Sequence, residues 1–173
     1  GMKVLLREEL TDSLLDGLIN GRLDLVLIAL PQELPDTVMT APLFFDGYKL
    51  ATPRTHPLAN LSKIKGSDLD GRELLLLDRG HCLQEHALSA YPSNSLRRSE
   101  SVAATSLQTL IAMVEEDVGI TLLPDLAVSA GVDKGHDLAL IEMPDACPRE
   151  VVLAWRRSSS RNALFKSLGD DIT

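Results

Sequence analysis

The sequence predicts an α/β fold. An amphipathic helix pattern over 11–20 runs directly into a short apolar segment at 23–30 (LDLVLIAL), and a second such segment, LLLL at 74–77, precedes another amphipathic stretch. The strongest helical pattern, TSLQTLIAMVEEDVG at 105–119, leads into GITLLP at 119–124. Short apolar runs that do not alternate belong to strands buried on both faces, and a helix feeding such a strand implies a parallel sheet flanked by helices. The 173 residues correspond to about one domain or two small lobes.

Taken in order, Leu14, Leu15, Leu18 and Ile19 lie on one helical face, with Thr11 as the expected N-cap, Asp12 favourable in the first turn and Gly21 as the stop. PQELPD at 31–36 is a turn-rich loop, and PLFFDGYKLAT at 42–52 reads as a strand broken at Asp46–Gly47. The stretch 54–71 wraps the surface with a short helix near 67–69, and Leu83, Ala87 and Ala90 mark a helical face after the strand at 74–77. The polar segment 91–101 is loop-like and ends in a short strand. In the helix at 105–119, Thr105 and Gln108 match the capping box, Leu107, Leu110, Ile111 and Val114 form the apolar stripe, and Gly119 ends it. Strands at 138–142 and 151–155 and a helix over 161–172 complete the chain. The segments 42–52 and 138–156 are natural places to leave one lobe and return, which suggests two lobes with a cleft between them.

Composition excludes several functions. Hydrophobic residues at 45% and charged residues at 24% are globular values, while 3% aromatics require an aliphatic core. The net charge of −8 argues against nucleic-acid binding by this chain, since phosphate contacts need clustered Lys and Arg. No apolar run reaches the ~18 residues that would span a membrane. Two cysteines, Cys82 and Cys147, are too few for a disulfide scaffold and point to a reducing, cytoplasmic compartment. Gly1 ahead of Met2 reads as the scar of a removed tag, so the natural protein is expected to extend further.

Cys82 carries the sharpest chemical signal. It follows a buried strand, a turn of Asp78, Arg79 and Gly80, and His81, and it precedes a helix. Sites in α/β sheets are built at such junctions, and a helix N-terminus with Arg79 and His81 nearby favours the thiolate. The other reading of Cys82 is a small apolar residue under the first helical turn. Cys147 sits in a Pro-flanked loop and reads as an ordinary thiol. His56, His81, His86 and His136 show no ligand spacing, so neither metal nor cofactor is expected. Thr11 and Thr105, at helix starts, offer hydroxyls and amides suited to an anion, or serve simply as caps.

GRLDLVLIAL, THPLAN, LLLLDRGHCLQEHAL and AATSLQTLIAMVEEDVGITLLPDLAV together resemble the effector-binding domain of LysR-type transcriptional regulators, and the GHCL and ATSLxTLxxMV…GITLLP segments are most similar to the peroxide-sensing OxyR branch. The resemblance runs over nearly the whole chain. It implies a two-lobed, periplasmic-binding-protein-like (type 2) fold with lobe I at 1–49 and 146–173, lobe II at 50–145 and a ligand cleft between them. It also implies that the N-terminal helix-turn-helix domain, and the first strand and helix of lobe I, lie outside this chain. Cys82 would be the peroxidatic cysteine, His81 its neighbour, Arg149 an arginine near the thiol and Thr11 a pocket threonine. Tyr91 stands where the family has its disulfide-forming cysteine, and Gln84 and Glu85 replace a charged pair.

The expected function is therefore a ligand- or peroxide-sensing regulatory domain rather than an enzyme, with Cys82, His81 and Arg149 in redox sensing and Thr11, His81 and Thr105 in ligand binding. The expected partners are a small-molecule effector or hydrogen peroxide, a second copy of the chain (a higher oligomer at full length), and DNA only through the missing N-terminal domain. No membrane is expected. The alternatives are a thiol peroxidase-like enzyme and a small-anion solute-binding protein.

Overall fold

The structure, a computed structural model, describes residues 4–69, 72–77, 97–98 and 104–172. These residues divide into two compact units. One holds the chain up to Phe44 and from Val151 onward; the other runs from Phe45 to Glu150.

In the first unit, helix α1 (Thr11–Ile19) precedes strand β1 (Leu25–Leu30), and β1 lies in a three-stranded sheet of order β1-β8-β2 with β2 (Val38–Asp46) and β8 (Arg149–Arg156). The β8 side chains show why the run at 151–155 reads as continuous apolar sequence. Val152 and Ala154 join Leu15 and Leu18 of α1, while Val151, Leu153 and Trp155 join Phe165 of helix α4 (Asn162–Ile172). Successive strand residues point to opposite faces, so a strand covered by a helix on each side must be apolar throughout. Trp155 packs on Phe165 with ring centroids 5.9 Å apart and donates its indole N–H to Asn162 Oδ1 at 2.7 Å, which seats α4.

The stop of α1 is as expected. Gly21 adopts φ +78, a region open to glycine without steric cost, and the Arg22 and Leu23 amides return to Gly17 O at 2.8 and 2.9 Å. The start differs. The N-cap is Leu10, which cannot cap through its side chain, and Thr11 is the first helical residue, buried at 8% exposure.

The second unit is organised on β3 (Tyr48–Pro53), flanked by β6 (Thr121–Pro124) and β7 (Leu138–Glu142). Both pairings are antiparallel, with Leu50 opposite Leu122 on one side and Ile141 on the other. This corrects the expectation of a parallel sheet. The β6 and β7 strands are parallel to each other and joined through the short helix α3 (Asp125–Ser129), but β3 has entered between them, reached from β2 across the single residue Gly47 rather than through a crossover helix. Parallel pairing survives between β4 (Glu73–Leu74) and β5 (Arg97–Arg98) and at the bridges Leu74–Ile120 and Leu77–Ala104.

The LLLL segment is buried on two sides. Leu74 and Leu76 face a cluster with Leu50, Leu122 and Ile141, whereas Leu75 and Leu77 face Leu110, Ile111 and Val114 of helix α2 (Leu107–Glu115). Two expectations for α2 are corrected. Its N-cap is Ser106, whose Oγ accepts the Thr109 amide at 3.2 Å, so Thr105 stands exposed one residue before the cap. It ends before Gly119, at a turn where Asp117 takes φ 58, a left-handed conformation that Asp tolerates through local hydrogen bonding. A 3₁₀ turn at Gly66–Leu69 matches the short helix expected there.

Candidate functional site

Cys82 and His81 lie outside the described residues, as do Gln84, Glu85 and Tyr91. Of the remaining candidates, Thr11 belongs to the first unit, and Thr105 and Arg149 to the second.

Arg149 opens β8 and meets Asp46, the last residue of β2. Asp46 Oδ2 accepts both Nε–H at 3.0 Å and Nη2–H at 2.7 Å. The carboxylate is 3% exposed, and its other oxygen, Oδ1, accepts the Leu126 amide at 2.8 Å. A buried carboxylate is strongly disfavoured unless paired and hydrogen-bonded, and here three donors meet it. Leu126 lies in the first turn of α3, where backbone N–H groups lack intrahelical partners. The N-cap position of α3 is Pro124, which has no side-chain acceptor, so Asp46 supplies that bond from a different strand.

The bend between β2 and β3 depends on the same contacts. Asp125 N donates to Gly47 O at 3.0 Å, and a Cβ at position 47 would lie 2.6 Å from Asp125 Oδ2. A larger residue at 47 would push the Asp125 carboxylate out of this position. Lys49 Nζ stands 3.6 Å from Asp125 Oδ1, a second ion pair at the start of α3 beside that of Arg149 and Asp46.

The two threonines differ in setting. The Thr11 hydroxyl is not used for capping, since the structure has no side-chain cap at this helix start. Thr105 is exposed beside a start already capped by Ser106. Cys147 is a free, exposed thiol two residues before Arg149. Among the described residues no group of three or more His, Cys, Asp and Glu side chains could hold a metal ion.

Among the described residues, two titratable groups are displaced from their usual values. Burial, with the Arg72 charge, lowers the pKa of His56 against an opposing pull from Asp117, and its Nδ1 accepts the Leu58 amide at 3.2 Å. The Asp137 amide at 2.9 Å and His136 Nδ1 at 2.6 Å hold Glu115 below the ordinary carboxylate range.

Sequence reasoning missed Asp46 as a partner of Arg149. The signal was a carboxylate closing an otherwise apolar segment beside a glycine, but the partner lies 103 positions away.

Residues 1–172 match the family model for the LysR substrate binding domain. The chain belongs to this family. It is 39% identical over 163 residues to a probable hydrogen peroxide-inducible genes activator of Streptomyces viridosporus, covering 93% of this chain and 52% of that protein. It is 34% identical over 174 residues to the DNA-binding transcriptional dual regulator OxyR of Escherichia coli K12, covering 99% and 56%. The reduced regulatory domain of OxyR2 from Vibrio vulnificus superposes with a TM-score of 0.84 at 36% identity, over 97% of this chain and 79% of that one. The LysR substrate-binding domain thus spans about half the length of the curated relatives it matches. Its fold is the mixed α/β, periplasmic-binding-protein-like one that the family resemblance implied. Among its described residues no helix is long and apolar enough to cross a membrane.

Proposed function

We propose that this LysR substrate-binding domain is the peroxide-sensing regulatory half of a transcription regulator, with lobe I at 1–49 and 146–173 and lobe II at 50–145. The observation that carries the reading is its likeness, over more than nine-tenths of its length, to proteins named hydrogen peroxide-inducible genes activators and to OxyR regulatory domains. The GHCL segment around Cys82 supports placing the reacting group there.

Cys82 is the reacting group. Its thiolate sulfur attacks one oxygen of hydrogen peroxide, the O–O bond breaks, the sulfur is oxidised to a sulfenic acid, and the departing hydroxide takes up a proton to leave as water. His81 and Arg149 stabilise the thiolate and the departing negative charge. Thr11 and Thr105 contribute hydroxyls for the oxidant or for a small anionic effector. With Tyr91 in place of a resolving cysteine, the oxidised state is a sulfenate, a mixed disulfide or a bond between chains. The signal passes through rearrangement of a cytoplasmic homodimer to DNA-binding domains elsewhere in the full-length protein. No catalytic turnover belongs to this reading.

The test is one equivalent of hydrogen peroxide followed by intact mass and a sulfenate-trapping reagent. One added oxygen located on Cys82, and absent from Cys82→Ser, is the expected result. An unreacted Cys82 removes the redox reading and leaves small-molecule sensing. Repeated turnover with a thiol reductant would make the protein a thiol peroxidase instead.

A further inference from the structure

The Arg149–Asp46 pair is more than a surface ion pair. The Asp46 carboxylate is buried, and the Arg149 side chain is 15% exposed. Nε and Nη2 are both committed to one carboxylate oxygen, while among the described residues no acceptor engages Nη1. An arginine presents five N–H donors in a rigid plane, so fixing one edge on a carboxylate orients the donors that remain. Asp46 is itself immobilised, because its second oxygen holds the start of α3 through Leu126. The guanidinium is therefore anchored to two strands and a helix rather than swinging on its own flexible stem.

We propose that Asp46 is a positioning residue for Arg149: it holds the guanidinium by Nε and Nη2 so that the Nη1 donors are presented to an anion. This rests on the reading of Arg149 as a group that serves the Cys82 thiolate. The pair makes opposite predictions for its two possible effects on that thiolate. If Asp46 only diluted the positive field, removing its charge would strengthen the field of Arg149 and make Cys82 react faster and at lower pH. As a positioning residue, its loss frees the guanidinium and makes Cys82 react more slowly and at higher pH.

The experiment measures the rate of Cys82 oxidation by hydrogen peroxide against pH on the full chain, with the Arg149 Nε–H resonance followed by NMR. For Asp46→Asn we expect a fall of about tenfold, the size of one lost charge-assisted hydrogen bond, with the reaction midpoint displaced to higher pH. Asp46→Glu, which keeps the charge on a longer arm, should recover part of the rate. The double variant Asp46→Asn/Arg149→Met should be no slower than Arg149→Met alone, since Asp46 acts only through Arg149. If Asp46→Asn does not fold, the slower rate of Asp46→Glu relative to the unsubstituted chain carries the test, because its charge is unchanged. An unchanged or faster profile, or an Arg149 Nε–H signal unmoved by substitution at Asp46, overturns the proposal. An inert Cys82 in the unsubstituted chain instead overturns the function on which it rests, and the Arg149 resonance distinguishes the two failures.

Discussion

Strand β8 begins and ends in arginines, and they are used differently. Arg149, in the second unit, is paired to the buried carboxylate of Asp46. Arg156, in the first unit, donates through Nη1 to two carbonyls, Leu18 O and Leu23 O, the latter at 2.5 Å, with the exposed carboxylate of Asp24 3.7 Å from Nη2. The first arrangement neutralises a charge that could not stand alone in the interior; the second satisfies neutral acceptors, one in the last turn of α1, where a cation also favours the helix dipole, and one in the loop after it. An arginine on carbonyls is replaceable at the cost of its hydrogen bonds. An arginine on a buried carboxylate is not, because its removal strands the partner.

The largest expected effect breaks that difference at Arg149. Arg149→Met should lower unfolding stability by about 3–5 kcal/mol, read as a fall in the urea midpoint at constant slope. Adding Asp46→Asn should return most of the loss, since the damage comes from the unpaired charge rather than from the missing side chain. Arg156→Met should cost less, about 1.5–3 kcal/mol, the range for hydrogen bonds involving a charged group. Equal losses at the two ends of β8 would remove the distinction between them.

Neutral acceptors can be compared at the start of α2. Ser106→Ala should cost about 1 kcal/mol, while Thr105→Ala should stay within about 0.5 kcal/mol because its hydroxyl caps nothing. Thermal unfolding of the two variants side by side checks this.

The smallest effect is in pH dependence, and it also separates the units. Among the described residues the two displaced groups, His56 and Glu115, lie in the second unit. For each, the folded pKa is below the unfolded one, so the unfolded state binds more protons as pH falls. Their contributions are complete above the ordinary values of 6.5 for a histidine and 4.5 for a glutamate, and are lost as pH falls through the lower folded values. Amide exchange in β3, β6 and β7 should therefore speed up on mild acidification more than exchange in β1 and β8, after correction for the intrinsic pH dependence. Equal change in both sheets would show that these groups do not set the acid response.

Much of the scaffold was legible from local pattern. The helix at Thr11–Ile19, the buried strand after it and the helix at Asn162–Ile172 follow from periodicity, and the break at Asp46–Gly47 was visible as a turn signal inside an apolar run. Helix α3 was not foreseen, because five residues contain too little of a helical period to register. Capping was misassigned at both threonines for a related reason. Thr105 and Ser106 are adjacent and chemically similar, and only the backbone conformation decides which lies outside the helix; at α1 the cap position falls on Leu10, so Thr11 is the first helical residue and not the cap.

By itself the sequence determined the helices at Thr11–Ile19, Leu107–Glu115 and Asn162–Ile172, that several strands are buried on both faces, and through its motifs the family to which the chain belongs. These depend on residues close together along the chain, where spacing is set by the 3.6- and 2-residue periods. Tertiary structure decided that β3 enters between β6 and β7, and that Asp46 rather than any residue near α3 caps that helix. It also decided which carboxylate Arg149 holds. The guanidinium and the carboxylate meet across 103 positions, a separation that no local sequence pattern reports, and the buried carboxylate needs a cation there.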